Sequence, residues 1–495
     1  MLLFVALLVG CSSEQEVGHR FRAEQGLYQA DQESRGLVLR GQDSTPEQWE
    51  ALAGTYESVA AKSKNVPTQT AEVEEEIQTI RARALFGAAR AYALSGDSLR
   101  VAELFEGMAV EFGQLSAVAA EVALARAGLA EGRGDILAAA DHYQLVVDTV
   151  EPSLGRSDAA GMVLELPLRI ARLHARSAPE ADALPQYANA RKYYERYSED
   201  DDEFVRAEAL GRLAESSADM GDWDRAAESL NILEEMLLGL EAPPREPAAV
   251  RFAFAQVKGR AGGTPEEIRD ILTALLEDYP QSVTAKDALF LLADNAVLRG
   301  EPDEALGHLE RLHDQNKADP DVGSAASLAR ARLLEREDRW KDASQAFTAL
   351  AVEYPISQAA LIAPLEIAGH FQRVGDTDGV ASALSRAESE YRGFIDRYPP
   401  GPMTLFANER LVQTLALQKE YDSAIGEMLD LSERLAGTPK GVALLIDAAK
   451  LAYEGLADTT RAADILDKAG GLYGHLDVGK WASNEATRLR ETLSP

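Results

Sequence analysis

Cysteine is nearly absent from this chain. One residue in 495, Cys11, carries a thiol, so no disulfide can close within the molecule and no cysteine-rich metal centre can be built. Aromatic residues make up 6%, few for the stacking platforms that hold sugars or single-stranded nucleic acid. Basic residues are outnumbered 50 to 82 by acidic ones, a formal net charge of −32. Nucleic acid is therefore not an expected partner, because phosphates are held by clustered Lys and Arg. Adsorption to anionic lipid through a basic patch is argued against on the same ground. No apolar run approaches the roughly 20 residues a spanning helix needs.

Signatures of catalysis are missing too. No H-E-x-x-H, no G-x-S-x-G and no phosphate loop ending in GK[ST] occurs. The seven histidines, at 19, 142, 174, 308, 313, 370 and 475, are scattered. His308 and His313 lie five apart, poor spacing for one helix face, so no metal is expected. The acidic run Glu199–Glu203 lacks the spaced ligands and central glycine of a calcium loop. It is expected to open a helix over 203–220, where the macrodipole favours acid. Gly259–Thr264 and Arg133-Gly134-Asp135 read as turns, and Trp49, Trp223 and Trp340 as packing residues. The sequence points to a chain that is not an enzyme and carries no cofactor.

What is present is a recurring helix hairpin. Residues 279–312 read YPQSVTAKDALFLLADNAVLRGEPDEALGHLERL. Ala288, Leu289, Leu292 and Ala296 share one face of a first helix, and Ala305, Leu309 and Leu312 one face of a second. Small Ala293 and Ala305 let the helices approach, and Gly300 suits the turn. The spacing recurs: five, nine and twelve residues after the turn comes an apolar residue. Gly134 is followed by Ala139, Tyr143 and Val146; Gly221 by Ala226, Leu230 and Leu233; Gly263 by Ile268, Leu272 and Leu275. Asp338 is followed by Ala343, Phe347 and Leu350, Lys419 by Ala424, Met428 and Leu431, and Ala457 by Ala462, Leu466 and Ala469. Weaker copies turn at Glu47, Gly96, Pro185 and Gly375. The unit resembles the tetratricopeptide repeat, a helix–turn–helix of about 34 residues. The resemblance implies an all-α, right-handed superhelical solenoid of about eleven such repeats, each burying its apolar face on its neighbours.

Residues 1–10, MLLFVALLVG, are unbroken apolar sequence followed by Cys11. The run fits the core of an export signal. Leu8-Val9-Gly10-Cys11 resembles the lipobox of bacterial lipoproteins, which implies cleavage before Cys11 and lipidation of its thiol. Ser12 after the cysteine resembles the pattern sorted to the outer membrane. The expected organisation is a signal peptide over 1–10, a lipidated tether over 11–18 and repeats over 19–150. An irregular insertion and candidate hinge follows over 151–185, then repeats over 186–476 and a capping helix over 477–495. Asn65–Thr70 reads as a linker.

Tyr279-Pro280-x-Ser and Tyr354-Pro355-Ile356-Ser357 resemble repeats of two bacterial envelope proteins. These are the tetratricopeptide lipoprotein of the outer-membrane β-barrel assembly machinery and the Tol–Pal-associated periplasmic coordinator. This implies a lipid-anchored, periplasm-facing scaffold that holds envelope proteins or peptides, with the lipid on Cys11 as its membrane contact. In the family the first helix of each pair lines a concave groove. Carried onto this chain, those positions are Arg83, Phe86, Arg90, Phe290, Asp294, Arg332, Phe406, Glu409 and Gln413. An alternative is a helical lipoprotein that captures glycans or solutes for an outer-membrane transporter.

Overall fold

The computed structural model describes residues 2–41, 44–64, 70–152, 157–177, 180–241, 243, 245–474 and 476–492. Side chains are described from Arg20 onward, apart from 153–160 and 178–182. The Cys11 thiol and most of the expected linker, 65–69, lie outside the described residues. All regular structure among the described residues is helical. The chain divides into two compact units, residues 1–263 and 264–495.

The first unit holds α1 (Leu2–Arg40), α2 (Pro46–Lys62), α3 (Ala71–Ser95), α4 (Ser98–Glu111), α5 (Ser116–Gly132) and α6 (Ile136–Thr149). It continues with α7 (Ser157–Ser177), α8 (Glu180–Tyr197), α9 (Glu203–Asp219), α10 (Trp223–Leu238) and α11 (Pro247–Arg260). The second unit holds α12 (Pro265–Asp278), α13 (Thr284–Leu298), α14 (Pro302–Gln315), α15 (Pro320–Arg336), α16 (Trp340–Glu353) and α17 (Gln358–Val374). It ends with α18 (Thr377–Arg397), α19 (Pro402–Leu417), α20 (Tyr421–Arg434), α21 (Pro439–Leu456), α22 (Thr459–Tyr473) and α23 (Asp477–Glu491). α1, α3, α5, α7 and α9 in the first unit and α13, α15, α17, α19 and α21 in the second are the first members of tetratricopeptide-like pairs. By contrast α11, expected to pair with α12 across the Gly263 turn, packs on α10, and α12 packs on α13.

The hairpins form as the spacing dictates. Most first helices end on a residue with left-handed backbone: Gly96, Gly134, Gly221, Gly300 and Gly375, and also Asp338, Lys419 and Ala457 with φ of 55°, 64° and 53°. A side chain in that conformation costs about 1–2 kcal/mol, so these three turns are held by the packing around them. The next residue caps the second helix. Asp97, Asp135, Asp222, Asp376 and Asp458 each accept the backbone N–H three residues on, at 3.0, 3.3, 3.4, 2.9 and 2.9 Å. Asp202 likewise caps α9, accepting from Phe204 and Val205. Five, nine and twelve residues past the turns, Ala139, Tyr143 and Val146, or Ala343, Phe347 and Leu350, are buried.

Five expectations need correction. Glu47 lies in the first turn of α2, and the left-handed turn before it is at Gly41 (φ 57°). Pro185 lies inside α8. Residues 157–177 of the expected irregular insertion are a full helix, α7. Its Val163, Leu166, Ile170 and Leu173 bury against α5 and α6, and its Leu164 and Leu168 against α8 and α9, so packing on both sides holds the helix through Pro167. The expected tether, 11–18, lies within α1, where Glu14, Gln15 and Glu16 are good helix formers. The unit boundary falls at the Gly262–Gly263 turn rather than over 151–185. There Gly262 takes the left-handed backbone and one extra residue precedes the cap Thr264.

Two first helices carry a proline in their interior, and a buried tyrosine hydroxyl serves the nearby backbone in each. Proline interrupts the helix ladder. In α7 the N–H of Leu168, next to Pro167, donates to the hydroxyl of Tyr194 at 2.9 Å. In α17, which contains Pro364, the Leu361 carbonyl accepts from the hydroxyl of Tyr391 at 2.8 Å. Both tyrosines are fully buried on the second helix of the pair.

Burial raises these phenols above their ordinary range. In the first unit burial, helped by Asp31, Glu131 and Glu151, pushes Tyr56, Tyr143 and Tyr197 up to about 12. A raised folded value means the neutral phenol favours the fold. That contribution is intact below about pH 10 and is lost as pH climbs through about 12. Helix signal and tyrosinate absorbance should therefore change together between about pH 10 and 12. Ionisation of Tyr56, Tyr143 or Tyr197, read from single Tyr→Phe differences, near pH 10 with the helices intact would contradict this packing.

Candidate functional site

The side of each stack made by first helices is the more closely packed. Within the first unit α1 touches α3 and α7 touches α9; within the second α15 touches α17, α17 touches α19 and α21 touches α23. No successive second helices pack comparably among the described residues. Where these contacts occur, the first helices make the closer-packed side of the unit.

The expected groove residues all sit on first helices, but they divide by role. Arg83, Arg90, Asp294, Arg332 and Gln413 are exposed. Phe86 is half-buried, its ring 5.7 Å from that of Phe105 on α4. Phe290 packs with Ala293, Leu309 and Leu333. Phe406 carries the Arg410 guanidinium 4.8 Å above its ring. These three rings fasten helices together. Two of the polar members link neighbouring first helices: Arg332 Nε donates to Glu366 of α17 at 3.0 Å, and Lys440 of α21 pairs with Glu409 at 2.8 Å. Gln413 accepts from Arg410 at 2.8 Å.

Of the nine, Gln413 alone borders the most developed hollow of the second unit. This hollow, about 800 Å³, opens between α17, α18 and α19. Leu365, Phe371, Val380, Leu384 and Leu417 give it an apolar wall, and Gln372, Gln413 and Gln418 give it three amides. It exists because Ala368, Gly369, Gly375 and Ala381 supply no bulk there. Gly379 contributes too, since a Cβ on it would stand 2.4 Å from the Phe371 ring. Phe371 is held edge-on by Trp340 and His370, which stack on each other at 3.5 Å and 4°. His370 in turn contacts Glu335 at 2.9 Å. Gln418 donates weakly to Glu388 at 3.4 Å, but its Oε1 is buried with no hydrogen-bond partner. An apolar wall bordered by glutamine amides suits a ligand that brings an apolar side chain together with hydrogen-bonding groups. The clustering of Gly369, Gly375 and Gly379 was the signal in the sequence that such a gap exists.

A second hollow of about 410 Å³ lies in the first unit between α9 and α11. Gly211, Ala214 and Ala218 face Ala249 and Ala253 across it. Arg245 closes one end, held in a fork by Glu208 at 2.9 and 2.7 Å. Elsewhere His308 contacts Glu304, and His313 contacts Asp314 and Glu353. Among the described residues no three metal-ligating side chains converge. No helix among them is long and apolar enough to cross a membrane.

No family model matches the chain, and no curated protein matches it. Solved structures similar to it include a tetratricopeptide repeat protein from Parabacteroides merdae, 18% identical over 57% of this chain and 98% of that one, with a TM-score of 0.30. Yeast Tom70 is 12% identical over 95% and 96%, with a TM-score of 0.33. The apo form of RapI is 12% identical over 76% and 99%, with a TM-score of 0.39. With likenesses this distant, the fold rests on the hairpins themselves.

Proposed function

We propose that this chain is a non-enzymatic scaffold that binds proteins or peptides through its first-helix surfaces, tethered by a lipid on Cys11 and facing the periplasm of a bacterial envelope. One observation supports the binding half of this reading: the hollow between α17 and α19 joins an apolar wall to the amides of Gln372, Gln413 and Gln418. That combination suits a peptide or partner helix, which brings an apolar side chain and a backbone or side-chain N–H together. The lipid half rests on the apolar start of the sequence and its single cysteine.

Ala381 is exposed on α18 at the wall of the hollow, so Ala381→Trp should fill the space and leave the core intact. Immobilised wild-type protein is expected to retain specific envelope proteins, and Ala381→Trp to lose at least one of them with an unchanged melting temperature. Envelope extract that yields no retained protein, with calorimetry showing oligosaccharide binding instead, would replace this reading by solute capture. A fatty-acid label incorporated by the wild type and lost in Cys11→Ala would support the anchor. Equal labelling of both would remove it.

A further inference from the structure

The closing helix α23 buries Gly479, Ala482, Ala486 and Leu489 against its own unit, and no described helix follows it. Trp481 is 49% exposed on the opposite face of the helix, a large apolar side chain left in water.

The residues around Trp481 have an order. Asp477, Trp481, Asn484 and Arg488 follow one another at steps of four, three and four. At helical spacing they form a single seam, turned away from the buried face. Asp477 and Arg488 are highly exposed, with 100% and 65% of their side chains open to solvent. Their present partners are Lys480 and Glu485 on the same helix. Exposed pairs of that kind contribute only about 0.2–0.5 kcal/mol and exchange readily. Tyr453 of α21, 49% exposed, lies near enough to Arg488 to act on its charge and widens the patch. Tryptophan, tyrosine and arginine are the residues that dominate binding at interfaces.

The charge order selects the occupant. When two copies of α23 lie side by side and antiparallel, residues that share a layer are Asp477 with Arg488 of the second copy, and Trp481 with Asn484. The two-fold axis then repeats each contact. Both ends of the seam are closed by opposite charges and the two indoles meet at its centre. A parallel arrangement would set Asp477 against Asp477 and Arg488 against Arg488, which is repulsive. We propose that α23 is a self-association surface, and that its occupant is the α23 of a second copy of this chain in antiparallel register. One helix face buries less than the roughly 800 Å² per partner of a standard interface. The dimer is accordingly weak and reversible, with a dissociation constant on the order of 10–100 µM.

Sedimentation velocity over a hundredfold concentration range tests this on the full chain carrying Cys11→Ser, so that neither an acyl chain nor a disulfide joins two copies. The expected result is a reversible monomer–dimer equilibrium. Arg488→Asp places acid opposite Asp477 at both ends and should weaken association by about tenfold or more. Trp481→Ala should weaken it as well. The double change Asp477→Arg with Arg488→Asp restores both pairs in exchanged positions and should recover the wild-type constant. Asp477, Trp481 and Arg488 are all exposed, and circular dichroism should show unchanged helix content. A monomer at every concentration would overturn the proposal. So would a dimer indifferent to Arg488→Asp, or a double variant no better than the single one.

Discussion

Phe347→Ala is expected to cost about 3–5 kcal/mol and to loosen the second unit locally around α15, α16 and α17. Phe347 is 1% exposed. It sits among Leu328, Ala331 and Leu334 of α15, Ala343 and Leu350 of α16 and Ala360 and Ala363 of α17. Alanine removes most of the side-chain volume from a site walled largely by small residues, which cannot close the gap by rearranging rotamers. Stability in a stack is a sum over neighbouring interfaces, so the loss should be concentrated in the helices that touch the cavity. Hydrogen exchange should show their amide protection falling by about two to three orders of magnitude, with smaller changes in α21 to α23. Phe347→Leu, which keeps most of the volume, should cost less than about 1.5 kcal/mol. Uniform loss of protection along the unit would contradict the one-dimensional picture.

The second large effect is expected at Glu234. Its carboxylate on α10 is hydrogen-bonded to the Arg251 guanidinium on α11, and both residues are only 9% exposed. Glu234→Ala leaves a guanidinium buried without that countercharge and should destabilise the first unit by about 3–5 kcal/mol. Removing both charges is a different experiment. Glu234→Leu with Arg251→Met fills similar volume with apolar atoms and should recover most of the loss, because the pair's desolvation cost disappears with its attraction. Urea unfolding followed by far-UV circular dichroism reads both. A loss below about 1 kcal/mol for the single variant would place the pair in water rather than in the core.

Much of this architecture was legible in the chain because a hairpin repeat writes its core at fixed offsets. Ala139, Tyr143 and Val146 could be placed by spacing alone, as could Ala462, Leu466 and Ala469, and all six are buried. Spacing even located turns without glycine at Asp338, Lys419 and Ala457, where a left-handed backbone is otherwise unexpected. Pro185 misled, since it reads as a turn but lies inside α8. Pro167, Pro185 and Pro364 lie inside helices, and at Pro167 and Pro364 a tyrosine on the partner helix satisfies nearby backbone, a contact no local pattern reveals. The expected surface was only partly legible. Phe86, Phe290 and Phe406 occupy the outward register, yet each turns inward onto a neighbour. Aromatic rings bury when small residues beside them leave room, and that depends on the adjacent repeat. The hollow beside Gln413 arises from absences, the missing side-chain bulk at Gly369 and Ala381, which periodicity does not register.

Photo-crosslinking in the native envelope tests the scaffold reading most directly. A benzoyl-phenylalanine replacing Gln413, at the hollow, is compared with one replacing Asp430, exposed on second helix α20. The account predicts discrete protein adducts from position 413 that are absent from position 430 and are lost when Cys11→Ala removes the anchor. Adducts equally frequent from both positions, or none from 413, would contradict a partner-binding surface on the first helices.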